Sequence, residues 1–246
     1  MSDTAEIRLQ KWLARAGLCS RREAERWIEA GRVSINGEKV TVMGVKVAPG
    51  DKVAVDGTTV GSSRTKEKLV YLMNKPRGVI CSRQDPQGRQ TIFDLLGKGA
   101  PHLISVGRLD YTSEGLLLFA NDGDLVYRLT HPSHKVPRTY RVRVHGRVDE
   151  KQVKELNRRG VTLEDGPTGP LQISLLKQKK DQGSNTWLEM TLFEGRNRLI
   201  RRIFETKEMK VSRLIRTSYG GVKLGELERG QWRPAQPFEI KQLQHF

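Results

Sequence analysis

The sequence predicts an α+β protein: a small N-terminal α+β domain, then a larger domain built on a mixed, mostly antiparallel sheet with flanking helices. Two short segments with helical periodicity open the chain. A polar segment, residues 61–68, contains no apolar side chain and indicates a linker. Strand-like runs then dominate, without the regular strand–helix alternation of a doubly wound fold. We therefore expect domains at residues 1–60 and 69–246 joined by that linker.

Charge is the strongest signal in the composition. The 246 residues include 44 Lys and Arg against 28 Asp and Glu, so the formal net charge is +16. Residues 128–147 contain six Lys or Arg and no acid, and residues 191–216 contain eight against three acids. Solubilising charge would be spread more evenly than this. The clustering predicts an anionic partner, most simply a nucleic acid.

Cysteine usage and hydropathy predict a cytoplasmic protein. Cys19 and Cys81 are too few for a disulfide framework. The chain has no signal-peptide pattern and no apolar run of about 18 residues, so we expect no membrane partner. His131 and His134 have metal-like spacing but lack a third ligand, and Pro132 disturbs a regular helix between them, so we expect no metal site.

The N-terminal elements follow from local signals. Apolar residues at helical spacing predict a helix over residues 6–16, with Gly17 as its stop. Ser20 and Glu23 form the pattern of a capping box at the start of a second helix, which Gly31 ends. Two strand runs flank Asn36-Gly37, the strongest short signal for a hairpin.

Basic residues of these elements form a candidate phosphate-binding surface. They are Arg21, Arg22 and Arg26 on the second helix and Lys39 on the hairpin. A solvated helix face would account for the same residues. The stretch "LARAGLCSRREAERWIEAGRVSINGEKV" favours the first interpretation, because residues 7–57 resemble the small RNA-binding module named after the fourth protein of the small ribosomal subunit. The resemblance implies contact with structured RNA through these four residues.

The larger domain is predicted from runs of β-branched and apolar residues and from three helical segments. Its strand runs are "LVYLMNKP", "ISVG", "GLLLFA", "TYRVRVHG", "LQISLLKQ", "TWLEMTLFEG" and "RLIRTSYGGV". Its helical segments are "DGDLVYRLTH", "DEKQVKELNRRG" and "NRLIRRIFETKE".

The stretch "GRLD" is the candidate functional turn. Gly107 permits a tight bend between two strand runs, and Leu109 is predicted to enter the core. Arg108 and Asp110 are two residues apart, so in an extended backbone they point to the same side. A turn aspartate that only accepts backbone amides would explain Asp110 taken alone.

Two further residues favour a site around Asp110. In "TYRVRV", Tyr140 lies on the apolar face with Val142 and Val144, where it is either an ordinary core residue or a base-stacking one. In the helix "NRLIRRIFE", Arg201 falls at the edge of the apolar stripe. A partly buried arginine needs an anion, for which Asp110 is a candidate, unless its side chain extends to solvent.

Four motifs in order, "YLMNKPRGVICS", "GRLDYTSEGLLLFANDGDL", "RTYRVRVHG" and "EGRNRLIRRIFE", resemble the bacterial ribosomal RNA pseudouridine synthases over residues 7–240. The resemblance implies isomerisation of uridine to pseudouridine without cofactor or metal. It implies that Asp110 is the essential carboxylate, that Arg201 keeps it ionised and that Tyr140 lies under the base. Arg108 would fill the gap left by the flipped uridine, and Lys75 and Pro76 would shape the pocket.

The C-terminal stretches "VTLEDGP" and "VSRLIRTSYGGVKLGELERGQWRP" are most similar to the large-subunit, type B group of that family. The expected partner is therefore large-subunit ribosomal RNA or a precursor subunit, bound by a monomer. Leu199 replaces the glutamine or glutamate of many relatives, which puts that polar contact in doubt. The chain ends at Phe246, before the basic tail of some type B members, so we expect target affinity to depend more on the N-terminal domain.

Three alternatives remain open from the sequence. A non-catalytic RNA-binding assembly factor would share the charge and the N-terminal module, but it has no need of Asp110, Tyr140 and Arg201 in one place. A synthase acting on small-subunit RNA would share all the motifs. A metal-dependent nuclease requires clustered carboxylates, whereas the sequence offers one well-placed acid.

Overall fold

The computed structural model describes residues 6–61, 68–97, 103–177 and 185–246. The chain divides into two compact units, Met1–Lys68 and Leu69–Phe246. The predicted linker falls mainly on residues 62–67, which lie outside the described residues. Each unit is described by itself below.

The N-terminal unit contains two helices and short strands. In chain order they are β1 Ile7–Arg8, α1 Leu9–Arg15, α2 Arg21–Glu29, β2 Val33–Ile35, β3 Glu38–Val40, β4 Lys46–Val47, β5 Val53–Val55 and β6 Thr58–Val60. One antiparallel sheet has the order β3-β2-β5-β6, and β1 pairs with β4. The apolar side chains of α1 and α2 bury against β2, β4 and β5.

Local details of this unit differ from the sequence prediction. The first helix begins at Leu9 rather than at residue 6, because Ile7 and Arg8 are extended and pair with β4. Ser20 caps α2 by accepting a 3.1 Å hydrogen bond from the Glu23 amide. The Glu23 carboxylate does not complete the box and instead accepts from the Trp27 indole at 3.1 Å. The predicted hairpin between β2 and β3 is confirmed.

The second unit contains the remaining elements. Its strands are β7 Val70–Lys75, β8 Ile104–Val106, β9 Glu114–Ala120, β10 Arg138–His145, β11 Thr162–Leu163, β12 Gly166–Pro167, β13 Gln172–Leu175, β14 Asn185–Leu192, β15 Val211–Tyr219, β16 Val222–Lys223 and β17 Trp232–Pro234. Its helices are α3 Ile92–Leu96, α4 Gly123–Thr130, α5 Glu150–Arg159, α6 Leu199–Glu205 and α7 Pro237–Leu243.

A mixed sheet organises this unit, in the strand order β13-β14-β10-β15-β9-β7-β17, with β8 also on β9 and β16 on β15. Within the described residues the β15–β9 pair is parallel and the other pairs of this sheet are antiparallel. The predicted mixed, mostly antiparallel α+β fold is therefore confirmed. Strand β9 is central, and each of its residues is buried.

Two apolar clusters cover the faces of the sheet at β9. Leu117 and Phe119 belong to the first cluster, while Leu116 and Leu118 belong to the second. This alternation follows from the period-two direction of side chains along a strand. Because Glu114 opens β9 immediately after the Asp110 turn, the functional turn is anchored to the best-buried strand of the sheet.

The three predicted helices of this unit exist, but the third is shorter than expected. The segment predicted as a helix from residue 197 begins at Leu199, because Arg198 adopts a left-handed conformation with φ of 48°. Helices α3 and α7 were not predicted. In the described parts of the chain, no helix is long and apolar enough to span a membrane.

Candidate active site

The turn between β8 and β9 presents Asp110. Gly107 bends the chain with φ of 70°, Arg108 is exposed, and Leu109 is buried, as its position in "GRLD" predicted. The Ser113 amide donates a 3.0 Å hydrogen bond to the Asp110 carbonyl and closes the turn. Asp110 itself is half-buried. In the described residues its carboxylate has no hydrogen-bonded or ion-paired partner and so remains available to a substrate.

Lys75, the last residue of β7, is hydrogen-bonded to the backbone of this turn. Its side chain is fully buried, and its ammonium donates to the carbonyl oxygens of Pro76 at 2.9 Å, Asp110 at 3.3 Å and Ser113 at 2.9 Å. Burial lowers the pKa of the Lys75 ammonium, and the negative field of Asp110 partly opposes that shift. The amine is directed to backbone oxygens, so its contribution is to position the turn.

The loop after β7 completes the support. The Gly78 amide donates to the Tyr111 carbonyl at 2.8 Å, and the Leu109 amide lies 3.3 Å from the Cys81 sulfur. Burial raises the pKa of the Cys81 thiol. The backbone on both sides of Asp110 is therefore fixed before any substrate binds, which favours precise presentation of the carboxylate.

Arg201 on α6 reaches the same turn. Its guanidinium donates to the Thr112 hydroxyl at 3.0 Å and to the Val211 carbonyl at 3.0 Å. Burial lowers the pKa of Arg201 and repulsion from Arg198 acts in the same direction, while attraction to Asp110 opposes both. Arg201 is thus in the electrostatic field of Asp110, but the described contacts include no direct ion pair between them. Its buried Nε atom also has no protein partner.

The turn contributes Leu109 to the apolar cluster that also contains Tyr140. Tyr140 on β10 is 9% exposed and belongs to the same apolar cluster as Leu109, Leu199 and Ile200. The alternation of β10 is as predicted, because Val142 and Val144 are buried with Tyr140. Leu199 is buried in this cluster, so the position contributes apolar packing in this protein.

Three residues near the turn were missed by sequence reasoning. Arg216 is 2% exposed and donates through Nε to the Leu116 carbonyl at 2.7 Å, while its buried Nη2 has no partner among the described residues. Glu114 accepts from Arg213 and pairs with Arg229. Gly115 allows β9 to approach β15, because a Cβ there would overlap the Arg216 backbone. The run "EGLLLFA" opens with a glutamate and a glycine among apolar residues, and that irregularity was the available signal.

The predicted RNA-contacting residues of the N-terminal unit lie at its surface. Arg21, Arg22, Arg26 and Lys39 are all exposed, and Arg26 forms a 3.2 Å ion pair with Glu23. The Lys39 side chain packs beside Gly31, at the end of α2. The unit therefore places its hairpin lysine next to the helix that carries the three arginines.

In the described parts of the protein, no group of three or more His, Cys, Asp or Glu side chains could hold a metal ion.

Comparison with known proteins identifies the family of the chain. Residues 69–206 match the family model of RNA pseudouridylate synthase, and residues 7–53 match that of the S4 domain. The chain therefore belongs to the RNA pseudouridylate synthase family, as its motifs predicted, and it carries an S4 domain.

Relatives match along most of the chain. Proteins named ribosomal large subunit pseudouridine synthase B from Salmonella typhi and Escherichia coli (strain K12) are 49% and 48% identical to it. Each alignment covers 92% of this chain and 78% of the relative. A crystal structure of a pseudouridylate synthase is similar with a TM-score of 0.68 and 31% identity, covering 96% of this chain and 99% of the other. Both the fold and the order of the two units are therefore shared with synthases.

Proposed function

We propose that this protein isomerises specific uridines of large-subunit ribosomal RNA to pseudouridine, with Asp110 as its catalytic carboxylate. The observation that carries the proposal is the Asp110 carboxylate, unpaired among the described residues, on a turn that both Lys75 and Arg201 contact. The names of its relatives support the choice of large-subunit RNA. A binding protein would have no use for a free acid in this position.

The reaction needs a carboxylate at the ribose. The bond from C1′ to N1 of uracil breaks, the base turns, and a bond from C1′ to C5 forms; C5 loses a proton and N1 gains one. Asp110 either attacks C1′ or removes the hydrogen at C2′ to give a glycal. Both routes use a negatively charged carboxylate, and the Arg201 guanidinium lies in its electrostatic field. The reaction is neither a redox change nor a hydrolysis, so the chain's own residues supply the groups it requires.

The other predicted site residues have separate roles in this proposal. Tyr140 stacks against the detached uracil and helps move the C5 proton. Arg108 is exposed beside Asp110 and fills the space left by the extruded nucleotide. Lys75 and Pro76 are positioning residues, since the Lys75 ammonium binds the turn and the Pro76 carbonyl.

The N-terminal unit selects the target in this proposal. Arg21, Arg22, Arg26 and Lys39 contact phosphates of a structured region of ribosomal RNA, either free or in a precursor subunit. The protein acts as a monomer in the cytoplasm. Net charge of +16 supports fast, salt-sensitive association with RNA.

The test is to map pseudouridines in ribosomal RNA from cells with and without this protein, by carbodiimide modification and primer extension. The expected result is a large-subunit site that disappears with the gene and returns with the wild-type chain but not with Asp110→Asn. Loss of a small-subunit site instead would overturn the proposed substrate. An unchanged pattern, together with tight RNA binding, would favour the assembly-factor alternative.

A further inference from the structure

A cluster of three exposed rings lies at the end of α4. Tyr127 and His131 have ring centroids 4.8 Å apart and tilted by 36°, and the His134 ring lies 6.2 Å from Tyr127 and 6.3 Å from His131. Tyr127 is 55% exposed, and residues 131–135 are all exposed. Large aromatic side chains that remain in water while touching one another are available to an external ligand.

Local hydrogen bonds hold the His131 ring in place. The His131 amide donates to the Tyr127 carbonyl at 2.8 Å and so continues the last turn of α4. The His131 Nδ1 atom lies 2.7 Å from the Ser133 hydroxyl and accepts from the Ser133 amide at 3.3 Å. The His131 ring is thus ordered without a ligand and Tyr127 rests against it, which reduces the entropy lost when a ligand binds.

The surroundings of the cluster favour an anionic ligand. Residues 125–148 contain six Lys or Arg and no Asp or Glu; Arg128 and Lys135 are the cations nearest the rings in sequence, and Asp124, three residues before Tyr127, is the nearest acid. Lys135 is exposed and left-handed, with φ of 47°, so the chain turns sharply beside His134. Aromatic rings bordered by cations are the combination with which proteins bind single-stranded nucleic acid, through base stacking and phosphate attraction.

The end of α4, which carries the cluster, lies next to the start of the Asp110 turn. A Cβ atom on Gly107 would lie 3.9 Å from Cγ2 of Thr130, the last residue of α4. Thr130 directly precedes His131, and Gly107 directly precedes Arg108. The carbonyl of Leu129 also accepts from the Tyr219 hydroxyl at 2.7 Å, which fixes the end of α4 to β15. The end of α4, which carries these rings, therefore lies beside Gly107, the residue that precedes Arg108.

We propose that Tyr127, His131 and His134 form a stacking platform for an unpaired base that flanks the extruded uridine. The choice of ligand rests on the proposed action on RNA. The platform itself is insensitive to base identity, because every base has a π-face. Removing the Tyr127 ring should weaken the binding of bases. The attraction between the neighbouring cations and phosphates should stay unchanged.

The test compares two fluorescein-labelled strands of ten units, an oligoadenylate and an abasic strand with the same phosphates, by fluorescence anisotropy. Tyr127→Ala should raise the Kd for oligoadenylate about tenfold, the equivalent of about 1.4 kcal/mol, and leave the abasic strand within twofold. Tyr127→Phe keeps the ring and should bind like wild type. Lys135→Ala should weaken both strands, and Phe238→Ala, which removes another exposed ring, should weaken neither.

The proposed stacking platform is wrong if Tyr127→Ala leaves the affinity for oligoadenylate unchanged or weakens the binding of both strands equally. Oligoadenylate contains no uridine, so this result does not depend on turnover. With ribosomal RNA as substrate, Tyr127→Ala should raise KM about tenfold and keep kcat within twofold. Absence of turnover by the wild-type chain would reject the proposed function. The comparison of oligoadenylate with the abasic strand would still show whether Tyr127 stacks on bases.

Discussion

The buried ammonium of Lys75 donates a hydrogen bond to the carbonyl oxygen of Asp110, at 3.3 Å. Two further bonds, to Pro76 and Ser113, complete its coordination by backbone oxygens. One side chain thereby joins the end of β7 to both sides of the turn that presents the carboxylate. The position of Asp110 therefore depends on Lys75, whose charged group is directed to backbone oxygens.

Lys75→Met keeps an unbranched four-atom stem and removes the ammonium. Buried carbonyl oxygens then lose their donor, so we expect the free energy of unfolding to fall by about 3 kcal/mol. We also expect kcat to fall further than RNA affinity, because the turn is no longer fixed. Urea unfolding and tritium release would measure the two effects. Lys223→Met, at an exposed position, is the control, and equal behaviour of the two variants would refute the positioning role.

Arg201→Ala removes the cation near Asp110. Loss of one preorganised electrostatic partner typically lowers kcat about 100-fold, and we expect RNA affinity to change less than fivefold, about 1 kcal/mol. Arg202→Ala is a matched control on the same helix, because Arg202 pairs with Asp165 at 2.9 Å instead of reaching the turn. Steady-state kinetics of both variants check this prediction, which fails if Arg202→Ala is the more damaging change.

Glu114→Gln tests the ion pairs at the start of β9. Burial alone would raise the pKa of Glu114, but its bonds to Arg213 and the charges of Arg213 and Arg229 outweigh burial, so the pKa is lowered. A lowered pKa in the folded state means that the stabilisation is complete above the unfolded pKa and is lost as pH falls through the folded one.

We therefore expect Glu114→Gln to lower the free energy of unfolding by about 2 kcal/mol at pH 7. The difference from wild type should shrink as pH falls below about 4.5. Urea unfolding curves at pH 7 and at acid pH would show this. A difference independent of pH would mean that shape, rather than charge, explains the effect.

Gly115→Ala tests the close approach of β9 and β15. The added Cβ would overlap the Arg216 backbone, and φ at this glycine is 103°. We expect destabilisation of more than about 3 kcal/mol, or failure to fold. Gly166→Ala separates the two causes, because Gly166 has φ of 106° and open space around it. It should cost only about 1–2 kcal/mol, and equal losses would show that backbone strain alone is responsible.

Much of the site could be predicted from local sequence patterns. Period-two alternation places Tyr140 on the apolar face of β10, and helical spacing places Leu199 and Ile203 in the core with Arg201 at the edge. The fold class followed from the irregular order of strand and helix signals. These properties depend on neighbours within about eight residues, which a sequence displays directly.

The remaining features depend on contacts between distant parts of the chain. Arg213 meets Glu114 across 99 positions, and Arg216 reaches the Leu116 carbonyl across 100. The parallel pairing of β9 with β15 creates both contacts, and no local pattern specifies it. Helix α7 is a different case, because Pro237 and Glu239 are ordinary local signals for the start of a helix.

Tritium release from ribosomal RNA labelled at uracil C5 tests the central claim most directly. The RNA would come from cells lacking this protein, and wild type would be compared with Asp110→Asn, with RNA affinity measured in parallel. The account predicts release by wild type alone, with the binding of Asp110→Asn largely retained. Release by Asp110→Asn at the wild-type rate, or a loss of binding that matches the loss of turnover, would contradict the assignment of the chemistry to Asp110.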